Sequence, residues 1–504
     1  MEHDQMKLER QQISFQQLQE KLNHALAKTP NKTSDTRVGL LTSITGGEIA
    51  TLMLSPTDGT AELMVTALEN NKFPSLSTRH AQFHWFERAL FDFFGIVPEG
   101  HPRFKHLLLH DQYPQDFFPL RKIALPDDFK NHLARRYEYL EVKGEGVYEL
   151  PVGPIHAGVI EPGHFRFSCF GETIVNLEIR LGWVHRGVEK RLTEVPWQKA
   201  HFVAEAAASD TALANAFAHA IAIESILDIA VTERAEYLRT IALEIERLAV
   251  HIIDVGGIGT DIGLLGVSSA MGRLRGKALG LADLLSGSRF LRGFIFPGGV
   301  RPVSERKLSE IKAGVIALKK DLTPVIQILS DNQMATERMK DIGKLSKSLA
   351  HEFGMVGIIG KACGLECDTR QQFKQGKYPE LAPQAVIESG GDILARTAVR
   401  IGEIWSSLDT IEKLVDACPH GEEKVAVPDK LPANATGLGI VEATRGELIH
   451  LIFTDEEGKI CRYAIKDPSF DNWTAISIAI RDNLIADFPL CNKSMALSYS
   501  GNDL

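Results

Sequence analysis

The chain has 504 residues, with 56 Lys and Arg against 65 Asp and Glu, a formal net charge of −9 and 44% hydrophobic residues. That is the composition of an ordinary globular protein, long enough for about three packing units of roughly 150 residues each. It offers no basic field to hold nucleic acid. Its least charged stretch, Thr211 to Ile223, lies between Asp210 and Glu224 and falls short of the about 20 apolar residues of a membrane-spanning helix.

The opening residues show no apolar segment followed by a small-residue cleavage site, so no export is signalled. Recurrent Leu, Ile and Phe among polar residues predict an amphipathic helix over 6 to 28, ending near Thr29-Pro30. Val38 to Leu54, broken by Gly46-Gly47, predicts a strand, a turn and a second strand. An aromatic segment then begins at His84 and includes Glu87-Arg-Ala-Leu-Phe-Asp-Phe-Phe-Gly. It leads through turns at Glu99-Gly-His-Pro to Pro119-Leu-Arg-Lys, and the charged run from Asp127 to Glu145 predicts a linker.

A second unit opens at Pro151 with turns and short strands. In Glu233 to Asp254 the apolar Leu238, Ile241, Ala242, Ile245, Leu248 and Ile252 recur at helical spacing, and Gly256-Gly257 marks the expected end. Helical patterns return at 304 to 330 and 391 to 417. Strand character follows from Gly439 to Ile465, with a hairpin at Glu457-Gly458, and a last helix is expected at about Trp473 to Ile485. The expected fold is α+β: a small N-terminal α/β domain over residues 1–126, a linker over 127–150, and a large mainly helical domain with peripheral strands over 151–504.

Six cysteines (Cys169, Cys363, Cys367, Cys418, Cys461 and Cys491) are too scattered for a disulfide framework, and the lone pair Cys363 and Cys367 reads as buried thiols. His156, Glu161, His164 and His185 fall in one turn-rich stretch followed by Arg186-Gly-Val-Glu189. Histidines and carboxylates so close can relay protons or hold a metal; equally, two of the histidines can cap turns and the charges can be solvated. Gly256-Gly-Ile-Gly and Gly437-Leu-Gly lack the spacing and the strand-to-helix context of a dinucleotide loop, and no phosphate loop, zinc-protease motif or nucleophile elbow occurs.

The segment Gly153-Pro-Ile-His-Ala-Gly-Val-Ile-Glu-Pro-Gly-His-Phe-Arg-Phe, with Arg180-Leu-Gly-Trp-Val-His-Arg-Gly-Val-Glu-Lys, resembles the large subunit of group 4 NiFe hydrogenases, including formate hydrogenlyase, and the homologous core subunit of respiratory complex I. Glu87-Arg-Ala-Leu-Phe-Asp-Phe-Phe-Gly-Ile, Gly100-His-Pro-Arg-Phe and Pro119-Leu-Arg-Lys resemble the smaller hydrophilic subunit of complex I, which is often fused ahead of the large one. Glu244-Ile-Glu-Arg-Leu, Gly391-Asp-Ile-Leu-Ala-Arg and Glu442-Ala-Thr-Arg-Gly-Glu-Leu continue the match over nearly the whole chain.

In the hydrogenases, two C-x-x-C pairs hold nickel and iron through soft thiolates. Here the resemblance places Ala208-Ser-Asp-Thr211 and Ser498-Tyr-Ser-Gly501 at those positions, so Ala208, Thr211, Ser498 and Gly501 are vestigial ligand sites. No nickel-iron centre and no hydrogen chemistry are expected. The chain also ends at Leu504, three residues past Gly501, leaving no long tail for the processing that accompanies nickel insertion in many hydrogenases. The tyrosine that bonds quinone in complex I has no counterpart in 206 to 213. His156 and His164 resemble the complex I histidines and Asp261 the aspartate paired with the second, while Glu161 and Arg445 resemble the hydrogenase proton-transfer glutamate and the arginine beside the metal, with Thr444 in place of the usual proline. Glu189 resembles a glutamate near the metal end; alternatively it is a buried acid paired with Arg186 or Lys190.

The resemblance implies a peripheral subunit on the cytoplasmic face of a membrane-bound oxidoreductase complex, packed against a small [4Fe-4S] subunit and the membrane-arm subunits. Electrons would pass from the partner's cluster to a quinone or another small acceptor in a pocket lined by His156, Glu161, His164, Asp261 and Arg445, coupled to ion movement, and no tightly bound cofactor is expected on the chain itself. The alternative is a non-catalytic scaffold that keeps the hydrogenase fold. A working nickel enzyme would need Cys169, Cys363 or Cys367 to converge.

Overall fold

The computed structural model describes residues 8–26, 36–110, 113–114, 117–121, 137–156, 160–373, 375–381 and 383–504. The continuous helix expected over 6 to 28 is a strand and a helix instead, β1 (Leu8–Gln12) and α1 (Phe15–Ala25). Ser14 divides them: its Oγ accepts the Gln17 N–H and the Gln17 side chain accepts the Ser14 N–H. This capping box starts the helix, and the residues before it are left to pair as a strand. The helix end expected near Thr29-Pro30 lies outside the described residues.

The strand, turn and strand expected between Val38 and Leu54 are β2 (Arg37–Thr42) and β3 (Glu48–Ser55). With β4 (Thr60–Ala67) they form a sheet of order β1-β4-β3-β2, backed by α2 (His84–Phe94). The hydrophobic cluster under this sheet, including Leu52, Leu63, Phe83 and Phe94, runs on into Ile449, Leu451 and Phe453. Of the expected linker, residues 127–136 lie outside the described residues. The part that is described is tied down, because the Tyr137 hydroxyl and the Leu140 N–H both donate to Glu178.

Strands β5 (Val147–Val152), β6 (His164–Phe170) and β7 (Thr173–Arg180) make an antiparallel sheet, followed by α3 (Val188–Glu194). The large unit is built around α4 (Ala212–Leu227), α5 (Glu233–Asp261), α6 (Leu265–Ser286) and α7 (Glu305–Ser330). The short α8 (Gly357–Ala362) and the long α9 (Ile393–Ala417) complete the bundle. Helix α4 is the Ala-rich stretch; it is apolar on nearly every side and correspondingly enclosed. Helix α5 does not stop at Gly256-Gly257. A Cβ on Gly256 would lie 2.9 Å from the Met271 Cβ, so this glycine serves the close packing of α5 on α6 rather than a helix end.

A second antiparallel sheet, β8 (Thr436–Ala443), β9 (Gly446–Thr454) and β10 (Ile460–Lys466), lies against α4. Contact is direct: a Cβ on Gly439 would fall 1.9 Å from the Ala218 carbonyl oxygen. The last expected helix begins earlier than predicted, as α10 (Pro468–Ala479), because Asp467 caps it and Pro468 takes its first turn. The polar end of the chain then forms α11 (Phe488–Met495) and α12 (Tyr499–Asp503), the latter buried.

An ion network runs through the bundle. Lys361 Nζ reaches Glu403 at 2.5 Å, Glu442 at 2.9 Å and Asp368 at 3.3 Å; Arg370 pairs with Asp368 and Glu244, and Arg247 with Glu244 and Glu403. His251 Nε2 lies 2.8 Å from Glu403. All of these side chains are buried, so each charge depends on its partners. Lys361→Met, which removes the cation that three buried carboxylates share, is expected to cost about 3–5 kcal/mol of stability, read as a lower urea midpoint in equilibrium unfolding.

Candidate functional site

The two segments expected at the ligand positions come together, and two arginines hold them. Arg186, just before α3, donates to the carbonyl oxygens of Ala206, Ala207 and Ser500, the last two at 2.8 and 3.0 Å. Arg445 sits in the two-residue turn between β8 and β9. Its Nη1 and Nη2 grip Asp210 at 3.1 and 2.5 Å while its Nε donates to the Ala496 carbonyl. Each guanidinium therefore bonds both segments, 206–210 and 496–500. The turn is seated against Gly357, where φ is +58° and a Cβ would lie 1.9 Å from the Arg445 carbonyl oxygen.

The first segment is anchored from below by Glu246 of α5, whose oxygens accept the Leu213 and Ala214 N–H groups at 2.7 and 3.1 Å and so cap α4. Burial pushes the Glu246 carboxyl up to about 8, against the pull of those two N–H bonds. Asn215 Nδ2 donates to the Thr211 carbonyl. Beyond Asn215 lies a buried chain in which His450 and His219 both meet the Tyr463 hydroxyl, at 2.7 and 2.8 Å. In the second segment Ser498 Oγ accepts the Gly501 N–H and starts α12.

His156, Glu161 and Arg445 converge on this second segment. Glu161 accepts the Ser500 N–H at 2.9 Å, and the His156 ring lies 5.4 Å from Phe165 and 6.0 Å from Tyr499 between ring centroids. His164 lies behind them: its Nδ1–H donates to the Gly153 carbonyl at 3.3 Å and its ring faces Tyr139 and Trp183. Burial holds both histidines below their ordinary pKa, which leaves them neutral at physiological pH. Asp261 has a different partner from the one expected: its carboxylate pairs with Lys493 of α11, and no hydrogen bond joins it to His164. Glu189 pairs with neither Arg186 nor Lys190. It accepts from Arg462 at 2.9 Å and from the Ile465 N–H at 2.8 Å, across to β10.

The residues at the ligand positions do not fit a nickel-iron group. Ala208 and Gly501 have no donor atom, and Thr211 and Ser498 offer neutral hydroxyls. At position 501 an added Cβ would lie 2.4 Å from Asp467 Oδ2, so a side chain there would have to displace that carboxylate. The thiols are dispersed: Cys169 lies in β6, Cys367 near Arg37 and Lys361, and Cys363 and Cys491 near Arg396. Among the described residues no group of three or more His, Cys, Asp or Glu side chains is placed to hold a metal.

This architecture is that of a known family. Residues 261–438 and 429–503 match the respiratory-chain NADH dehydrogenase 49 kDa subunit, and residues 22–129 match the 30 kDa subunit. The chain belongs to the family of complex I 49 kDa subunits and membrane-bound hydrogenase large subunits, with a 30 kDa-type sequence fused ahead. It is 31% identical over 372 residues to the membrane-bound hydrogenase subunit alpha of Pyrococcus furiosus, covering 70% of this chain and 87% of that one. To formate hydrogenlyase subunit 5 of Escherichia coli it is 29% identical over 444 residues, covering 86% and 77%. A chain in the structure of the membrane-bound sulfane sulfur reductase, an archaeal respiratory membrane complex, superposes with a TM-score of 0.68 at 27% identity, covering 71% of this chain and 99% of that one. Among the described residues no helix is long and apolar enough to cross a membrane.

Arg445 holds the Asp210 carboxyl below its ordinary value, against the effect of burial. A carboxyl with a depressed folded pKa stabilises the fold above its unfolded value near 3.9 and loses that contribution as pH falls through the folded value. The stability difference between the wild type and Asp210→Asn should therefore shrink as pH falls below about 4, as measured by denaturant unfolding across the acid range.

Proposed function

We propose that this chain is the large peripheral subunit of a membrane-bound, complex I-like oxidoreductase, and that it passes electrons from a partner's [4Fe-4S] cluster to a quinone or another small acceptor without nickel-iron chemistry. One observation carries this reading. Arg445 bonds both segments while Glu161 and His156 stand at the second, which supports a site kept where the resemblance puts the hydrogenase pocket, and a side chain at position 501 would have to displace the Asp467 carboxylate. An acceptor that takes up two electrons also takes up two protons. Glu161 and the neutral His156 are the groups beside the Tyr499–Gly501 turn that can hold and release them.

The two units, 1–126 and 151–504 joined by 127–150, would work as one body, with the cytoplasmic face of the membrane as their place and membrane-arm subunits as partners. A small iron-sulfur subunit has a suitable landing face beside the first ligand segment. Arg275, Arg289, Arg292 and Arg301 form no ion pair among the described residues, and Phe202, 52% exposed, lies against Arg301 at Gly293. An arginine beside an exposed aromatic is suited to an acidic partner face.

A second reading has its own support. Both terminal nitrogens of Arg445 and its Nε are already bonded, as expected of a scaffold whose pocket has closed. Electron transfer to quinone by the reconstituted complex distinguishes the two. Arg445→Lys and His156→Gln are each expected to lower the rate at least about tenfold with the complex still assembled. Unchanged rates in both variants would leave the scaffold. Metal analysis of the purified chain is expected to find nickel well below one equivalent, and stoichiometric nickel would overturn the reading.

A further inference from the structure

Two motifs that the pocket does not use face one another elsewhere. The aromatic helix α2 and the start of α3, Gly187-Val-Glu-Lys190, border a cleft between the N-terminal and large units. Phe86, Leu90, Phe93, Leu120, Ile465 and Phe470 give it a predominantly apolar wall.

Its polar end is unevenly satisfied. Three cations, Lys190, Arg462 and Lys466, and two carboxylates, Glu189 and Asp503, line the cleft. Arg462 is bound to Glu189, and Lys466 to Glu447 and Asp471. Both Asp503 oxygens are bonded, one accepting the Gly182 and Val184 N–H groups and the other the Asn502 amide. His185 donates to the Asp503 carbonyl. Lys190 is exposed and forms no ion pair among the described residues, and the buried Asn502 Oδ1 has no hydrogen-bond partner. A predominantly apolar cleft with an unpaired ammonium at its rim matches one kind of ligand.

We infer that this cleft binds a single-chain amphiphile with a carboxylate head, its chain among the phenylalanines and its head at Lys190. The site is distinct from the Arg445 pocket but not isolated from it. Asn502 and Asp503 lie on α12, whose first residues carry the second ligand segment, so an occupant would touch the far end of the same short helix.

The test uses the full chain with dodecanoate, dodecanol and dodecyltrimethylammonium below their micelle concentrations, followed by calorimetry. Dodecanoate is expected to bind in a one-to-one complex, more tightly than the other two. Lys190→Gln should weaken dodecanoate about tenfold and leave dodecanol unchanged, the loss of one charge-assisted contact. Ala89→Trp, which adds bulk from α2 into the cleft, should abolish binding of both; its circular dichroism and melting temperature show whether it remains folded. Should Ala89→Trp unfold, Ala89→Leu narrows the same wall with less bulk and should weaken both ligands. The inference fails if the wild type binds no dodecanoate, if the cationic probe binds equally well, or if the folded wall variants bind as the wild type does.

Discussion

Two chain segments almost three hundred residues apart are held together here by guanidinium groups. Carbonyl oxygens withdrawn from water need donors, and Arg186 and Arg445 supply them to both segments at once. In a hydrogenase-type body a metal bound to four thiolates would be the natural cross-link between those segments. On the reading proposed above, Ala208, Thr211, Ser498 and Gly501 stand where those thiolates would, and the arginines join the two loops without them. Asp210 and Asp467 occupy the space between. Hydrogen bonds within the chain therefore hold the two segments together.

Much of the fold was legible because periodicity reports burial. The regular faces of 305–330 and 393–417 and the strands on either side of Gly46-Gly47 appear where expected. The misplaced boundaries share a cause. Gly256-Gly257 resembles a helix stop in one dimension, yet its lack of side chains is used by Met271 on a neighbouring helix. Ser14 divides a single amphipathic pattern, and whether the residues before it are strand or helix depends on β4 being there to pair with them. Tertiary partners decided both, and local sequence does not contain them.

The site was legible in part for the same reason. Motif resemblance brings His156, Glu161 and Arg445 to one place, since the segments that carry them are those that meet. Partner choice was not visible. Glu189 finds Arg462 on a distant strand in preference to the arginine and lysine beside it in sequence, and Asp261 finds Lys493. The clamping role of Arg186 and the capping role of Glu246 are bonds to backbone atoms, which leave no complementary residue type to search for. In Glu244-Ile-Glu-Arg247 the spacing hints at helix faces: Glu244 and Arg247, three apart, enter the buried ion network, while Glu246 turns to α4.

The contact between β8 and α4 has a mechanical consequence. With no side chain between the Gly439 backbone and the Ala218 carbonyl, strand and helix meet as two rigid surfaces without a compressible layer. Sliding one along the other would drive backbone into backbone. The turn bearing Arg445 closes that strand, and Asp210 lies just ahead of that helix, so the ion pair spans two parts of a single stiff frame. A change at one end of the pair would then be felt at the other as a tilt of the whole frame, with little taken up by local give.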